Sequence, residues 1–336
     1  MTRFTLLSRV RRRLPALGSV SIVAVVVLAG AAPVAAAPSV RGEVVDGTLF
    51  VHGTPFAETI ALRLDARDTS HLLVDAGDDG FALAFDRSTF DRIDVRGLGG
   101  DDTIRIDEAA GVFTTTAATR IDGGRGDDTL IGGSGAETFI GGTGNDFVDG
   151  NGGADTAFLG RGDDAFVWDP GDASDVVEGQ GGFDRMIFNG AGGAEQMAAV
   201  ADNGRVRFTR FQGTIVMDLG GIEGIDVHAL GGSDTVTVND LSGTDVVSVD
   251  VDLAVSLDDL GSDQAADSVI VNGTNGDDTV VVQAAGKAVE VAGLAPFVRI
   301  TNTDPALDRL TVNALGGSNI VLVGAAVNGL ILTTLN

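Results

Sequence analysis

The chain has 336 residues, 48 acids against 22 lysines and arginines, and a formal charge of −26. That charge argues against direct binding to nucleic acid or anionic membranes. The absence of cysteine excludes disulfides, zinc-thiolate sites and a cysteine nucleophile. With 49 glycines, only 5% aromatic residues and no tyrosine, the composition suits stacked strands of small residues better than an aromatic globular core.

The N-terminal segment reads as a secretory signal. Arg3, Arg9 and Arg11 to Arg13 form a basic start, Leu17 to Ala32 is an apolar run, and Val34-Ala35-Ala36 is a small-residue cleavage site. Removing residues 1–36 takes away five arginines and no acid, which moves the formal charge from −26 to −31. The expected product is secreted and has no integral membrane span.

From residue 37 to 121 the sequence offers short alternating strands with polar turns. Phe56-Ala57-Glu58-Thr59-Ile60 and Gly99-Gly100-Asp101-Asp102-Thr103-Ile104 each set an acid before β-branched residues. Between Gly123 and Ile187 this phrase becomes dense and acquires a nine-residue period. Gly123 to Ile131 and Gly141 to Asp149 both read G-G-x-G-x-D-x-U-x, with U apolar. A copy from Gly132 carries Glu137 in the acidic slot, copies from Gly150, Leu159 and Gly179 carry Asp155, Asp164 and Asp184, and an irregular copy near Gly171 offers Asp175.

Each position of the phrase has a physical task. Glycines allow tight turns that expose carbonyl oxygens, and the acid adds a carboxylate, so each turn offers the hard oxygen donors that calcium prefers. The apolar slot reads Leu130, Phe139, Val148, Ala157, Phe166, Val177 and Met186 and is expected to face inward. With two nonapeptides per coil, the acids fall into two columns: Asp128, Asp146, Asp164 and Asp184 in one, Glu137, Asp155 and Asp175 in the other. These seven are the candidate metal ligands, with calcium bridging carboxylates of vertically adjacent turns. Residues 122–184 hold 14 acids against Arg125 and Arg161. Carboxylates stacked at roughly 4.8 Å repel by about 0.9 kcal/mol per pair even in water. The segment is therefore expected to fold only when calcium neutralises its columns.

These nonapeptides resemble the RTX, or haemolysin-type calcium-binding, repeat family across roughly residues 97–187. The stretch from Phe166 to Gln180, with Trp168-Asp169-Pro170-Gly171, also resembles bacterial calcium-binding proteins of this kind. The resemblance implies a parallel β-roll, calcium at the turns and an exported protein. Asp128, Asp146, Asp155, Asp164 and Asp184 match the family's ligand position, whereas Glu137 departs from it and Asp175 follows a two-residue insertion.

Beyond residue 190, echoes of the phrase recur at Asp234, Asp278 and Asn319, spaced in the forties as Glu58 and Asp102 are. That period suggests larger solenoid coils. Strands are predicted within Val246–Val255, Ser268–Val271, Ala288–Val291 and Leu310–Val312, and one short helix over Ala194–Ala201. Arg205, Arg207 and Arg210 read as a solvated strand edge, charged against aggregation. The expected fold is all-β: a signal at 1–36, solenoid coils at 37–121, a parallel β-roll at 122–190, and solenoid or β-helix coils at 191–336.

No catalytic motif emerges. H-E-x-x-H and G-x-S-x-G are absent, and His52, His71 and His228 are isolated in sequence. Asn302-Thr303-Asp304 and Gly276-Asp277-Asp278 share fragments with polygalacturonase-type sites in the wrong order and read as turns. The reading is a secreted, non-enzymatic calcium-binding protein with a structural or surface-interaction role. The alternatives are a β-helical polysaccharide lyase or hydrolase, and an adhesin with a surface or polysaccharide ligand.

Overall fold

The computed structural model describes residues 40–77, 82–258 and 261–336; the signal read at 1–36 lies outside them. Among these residues, two sheets of 14 strands each face one another, and the chain alternates between them. The apolar slot of the nonapeptide explains why they close on a common core. In one sheet Leu130, Val148, Phe166, Met186 and Ile225 stack in register. In the other, Ile121, Phe139, Ala157, Val177 and Leu219 do the same. All ten side chains are buried between the sheets. Residues 18 apart pair in parallel up to Ala157 and Phe166, Phe139 with Ala157 and Val148 with Phe166, so each coil consumes two repeats; the next coil, with its two-residue insertion, pairs Ala157 with Val177 and Phe166 with Met186 at a spacing of 20.

Strand Ala118–Arg125 crosses the expected 121/122 boundary and pairs with Arg92–Arg96 on one side and Glu137–Thr143 on the other. At the other boundary Arg185–Asn189 pairs with Gly224–His228. Roll and flanks therefore share the same two sheets.

The longer spacing from Glu58 to Asp102 and from Asp278 to Asn319 has a definite cause, whereas Asp234 and Asp278 precede strands of opposite sheets with no meander between them. Three times the chain folds back within one sheet as an antiparallel meander before resuming its coil. The segments are Thr59–Asp65, Asp68–Ala76 and Ala82–Asp86; Gln196–Asp202, Arg205–Arg210 and Ile215–Gly220; and Thr279–Ala285, Ala288–Ala292 and Phe297–Thr301. The added length lies within the sheet. At the middle meander the turn is Asn203-Gly204, both at positive φ (54° and 83°), the pair that a tight hairpin of matching twist demands.

Two local expectations are corrected. Ala194–Ala201 is not helical, because Gln196–Asp202 is a strand with Met197 and Ala199 inward, held between Arg205–Arg210 and Thr235–Val238. Period-two burial and ladder hydrogen bonds on both sides outweigh the helical preference of alanine. The arginines do not line an edge either, since their strand is central. Arg205 donates to Glu178 (2.7 Å) and to Asp218, and Arg210 pairs with the buried Glu195. Only Arg207 faces solvent. The predicted strands at 246–255, 268–271, 288–291 and 310–312 are present as Ser248–Asp252, Ser268–Asn272, Ala288–Ala292 and Arg309–Asn313.

Candidate metal centre

The turns of the array hold the candidate site, and glycine does two jobs in them. Gly142 and Gly144 turn the chain at φ of 120° and 128°, which side-chain-bearing residues rarely adopt. Gly141 serves by its missing Cβ. An added carbon there would lie 2.2 Å from the Leu159 carbonyl oxygen and 2.5 Å from Asp146 Oδ2. The first glycine thus clears a space in which a carboxylate oxygen and a carbonyl oxygen from the next coil converge. Gly97 does the same for Asp102 and the Gly123 carbonyl, and Gly179 for Asp184 and the Gly221 carbonyl.

The carboxylates themselves form ladders. The amide of Asp128 donates to Asp146 Oδ1 (2.9 Å), that of Asp146 to Asp164 (2.7 Å), and that of Asp164 to Asp184 (3.0 Å). In the second column the amide of Glu137 donates to Asp155 (2.6 Å) and that of Asp155 to Asp175 (2.8 Å). One oxygen of each downstream carboxylate is consumed this way. The other is stranded in all but Asp175: Oδ2 of Asp128, Asp146, Asp155, Asp164 and Asp184 is buried with no hydrogen-bond partner, as is Oε1 of Glu137, whose Oε2 accepts from the Gly133 amide. An ionised oxygen left so costs several kcal/mol unless a proton or cation meets it.

The acidities record the same strain. Burial pushes the carboxyls of Asp128, Asp146 and Asp184 up to about 7 and that of Asp155 to about 9, with neighbouring carboxylates adding to the shift. Glu137 and Asp175 are likewise raised to about 7 by burial. Among the described residues, no three His, Cys, Asp or Glu side chains converge on one point. A cation in this array would therefore need backbone carbonyls beside the carboxylates, the donor mixture that the glycine-cleared spaces supply. The residues fit a hard cation such as calcium.

The ladder continues past the nine-residue period. Glu58 donates its amide to Asp102 and Asp102 to Asp128 at one end (both 2.7 Å), and Asp184 donates to Glu223 (2.7 Å) at the other. A further run links Glu195, Asp234, Asp267 and Asp308 by the same bond. Asp102, Asp234 and Asp267 also carry a buried, unpartnered Oδ2. The Gly-Gly-Asp-Asp and Gly-Ser-Asp turns before Asp102 and Asp234 hint at this in sequence. Asp267 follows two alanines and carries no such sign.

The histidines stand apart from the ladders. His228 Nδ1 bonds Asn189 Oδ1 at 2.7 Å, and Asn189 donates to Asp169, so it is not isolated in the fold. His71 contacts Asp68, and His52 stacks near Phe50.

Coils of two glycine-turned strands, an aliphatic column inside and ladders of buried carboxylates at the turns define a calcium-binding β-roll. Residues 113–147 and 131–166 match the RTX calcium-binding nonapeptide repeat, in four copies. The chain thus carries RTX-type nonapeptide repeats over residues 113–166, and RTX nonapeptide repeats bind calcium ions. Such repeats are typical of extracellular proteins. No curated protein matches the chain as a relative.

Proposed function

We propose that this is a secreted, non-enzymatic calcium-binding protein whose roll orders when the exported chain meets calcium. Calcium is held by Asp128, Glu137, Asp146, Asp155, Asp164, Asp175 and Asp184 together with carbonyl oxygens of the glycine turns. The folded chain then serves a structural or surface-interaction role through the solenoid at 37–121 and 191–336.

The observation that carries this reading is the stranded carboxylate oxygen repeated from turn to turn. Without a cation each such oxygen must be protonated or must stand unpaired in the interior, and a chain of charge −26 has few cations of its own to offer. The two arginines within the 122–184 stretch, Arg125 and Arg161, are exposed and cannot fill that role. A millimolar-calcium exterior supplies what the sequence lacks, and coupling of binding to folding follows.

Calorimetric titration with calcium, followed in parallel by far-UV circular dichroism, tests the proposal. Uptake of several ions with a gain of strand signal over the chelated chain is the expected result. An unchanged spectrum in chelator together with negligible uptake would sink it.

A further inference from the structure

The run Glu195, Asp234, Asp267 and Asp308 lies outside residues 113–166, where the nonapeptide repeat is matched, and its four acids are not equally provided for. Glu195 has a cation of its own, because Arg210 pairs with it, and it also accepts from the Ala191 amide (2.7 Å). Asp308 accepts from the amides of Asp267 (3.0 Å) and Asp304 (2.5 Å), one at each oxygen. Asp278, at another turn of the same flank, has both oxygens taken by Thr274, through its amide (2.9 Å) and its hydroxyl (2.8 Å). The two inner rungs, Asp234 and Asp267, have no such provision. Each gives Oδ1 to the amide of the rung before it, Glu195 (2.7 Å) and Asp234 (2.8 Å) respectively. Each keeps Oδ2 buried and unpartnered, in residues only 1% and 2% exposed.

The charges that bear on this pair have the wrong sign to help. Asp234 feels Glu195 and Asp263, and Asp267 feels Asp263 and Asp308. The strands that follow the two acids, Thr235–Val238 and Ser268–Asn272, pair in parallel from Thr235 with Ser268. Asp234 and Asp267 are therefore successive rungs, about 4.8 Å apart at the strand spacing. Calcium bonds oxygen at roughly 2.3–2.6 Å, so one ion spans that gap. We propose that Asp234 and Asp267 form a second divalent-cation site, separate from the roll, in which one calcium ion bridges the two stranded Oδ2 atoms and ties adjacent coils of the 191–336 solenoid together. Two buried carboxylates and one divalent ion balance in charge, which neither acid achieves with the groups around it. The site is not a copy of those in the roll. Gly141 stands five residues before Asp146 and clears room for a carbonyl oxygen, whereas the same place before Asp234 is Ala229 and before Asp267 is Ser262. Recognition here falls to the carboxylate pair, and a repeat pattern that depends on glycine does not mark it.

Equilibrium dialysis of the full chain against calcium counts the ions, with far-UV circular dichroism as the check on folding. Asp234→Asn/Asp267→Asn keeps both ladder acceptors and should take up one ion fewer than the parent. Asp278→Asn, whose carboxylate is already satisfied, should take up the parent number. The same loss of one ion should recur in the Asp146→Asn/Asp164→Asn background, where sites of the roll are removed, so failure of the roll and failure of this site read differently. If the double variant does not fold, Asp267→Asn alone gives the same count. An unchanged ion number in Asp234→Asn/Asp267→Asn, or an equal loss in Asp278→Asn, would overturn the proposal even with the roll binding calcium in full.

Discussion

The amide of Asp146 donates to Asp164 Oδ1 at 2.7 Å, and Asp164 Oδ2 is left buried without a partner. One carboxylate thus does two separable things: it holds the coil above it, and it presents an oxygen that needs a cation. Asparagine separates them, because it keeps the acceptor and removes the charge. Asp146→Asn and Asp164→Asn are expected to raise the thermal midpoint in chelator and to lower the number of calcium ions taken up. At calcium a hundredfold above its Kd, each lost site removes up to about 2.7 kcal/mol of stabilisation. Differential scanning calorimetry with and without calcium reads both effects, and a variant destabilised in chelator would show that the charge is not the burden.

Gly141 and Gly192 offer a matched pair. A Cβ at Gly141 meets the Leu159 carbonyl at 2.2 Å and Asp146 Oδ2 at 2.5 Å, whereas one at Gly192 meets nothing within 4 Å. Gly141→Ala is expected to cost roughly 2 kcal/mol or more and to weaken calcium uptake, while Gly192→Ala stays within about 0.5 kcal/mol of the parent. Urea titrations in calcium check the contrast. Equal stabilities would mean that the turn relaxes around the extra carbon.

Much of this was legible in the sequence because a strict period leaves few physical solutions. A nine-residue spacing of glycine, acid and aliphatic residue specifies turn, ligand and core together, and Leu130, Phe139 and Val148 are inward for that reason. The flanks were harder. Asn203-Gly204 is a hairpin signal, yet Ala194–Ala201 reads as helix when alanine propensity is weighed without the neighbouring strands. Asp267 could not be found at all from its surroundings. Its place in a ladder depends on Asp234, 33 residues earlier across loops, and Asp308, 41 residues later across a meander, and neither interval follows a fixed period.

The raised carboxyls fix the direction of the pH response. Asp128, Asp146 and Asp184 titrate near 7 in the folded chain, against 3.8 for a free aspartate, so the folded state binds more protons between these values. Stability of the calcium-free roll is therefore greatest near pH 4 and declines as pH rises through 7. Calcium competes with the same protons, and its apparent affinity should rise over that window. Thermal melts in chelator from pH 4 to 8 provide the check; a calcium-free roll that grows more stable toward neutrality would contradict the assignment of these groups as buried and unpaired.

Phe166 tests whether the interior of the roll contributes stability of its own. It is fully buried, in register with Val148 before it and Met186 after it, and the adjoining Trp168 stacks on Phe188 at 4.1 Å. A roll two strands per coil wide has little around such a ring that can collapse into the gap. Phe166→Ala is expected to cost about 3–5 kcal/mol, and Phe166→Leu, which restores most of the volume, distinctly less. The loss should appear in calcium and leave the stoichiometry of binding unchanged, because the ring belongs to the apolar core and not to the carboxylate ladder. Calorimetric titration of Phe166→Ala at a temperature where it stays folded separates the two contributions, and a fall in ion number there would tie core and ligand ladder together more closely than the register implies.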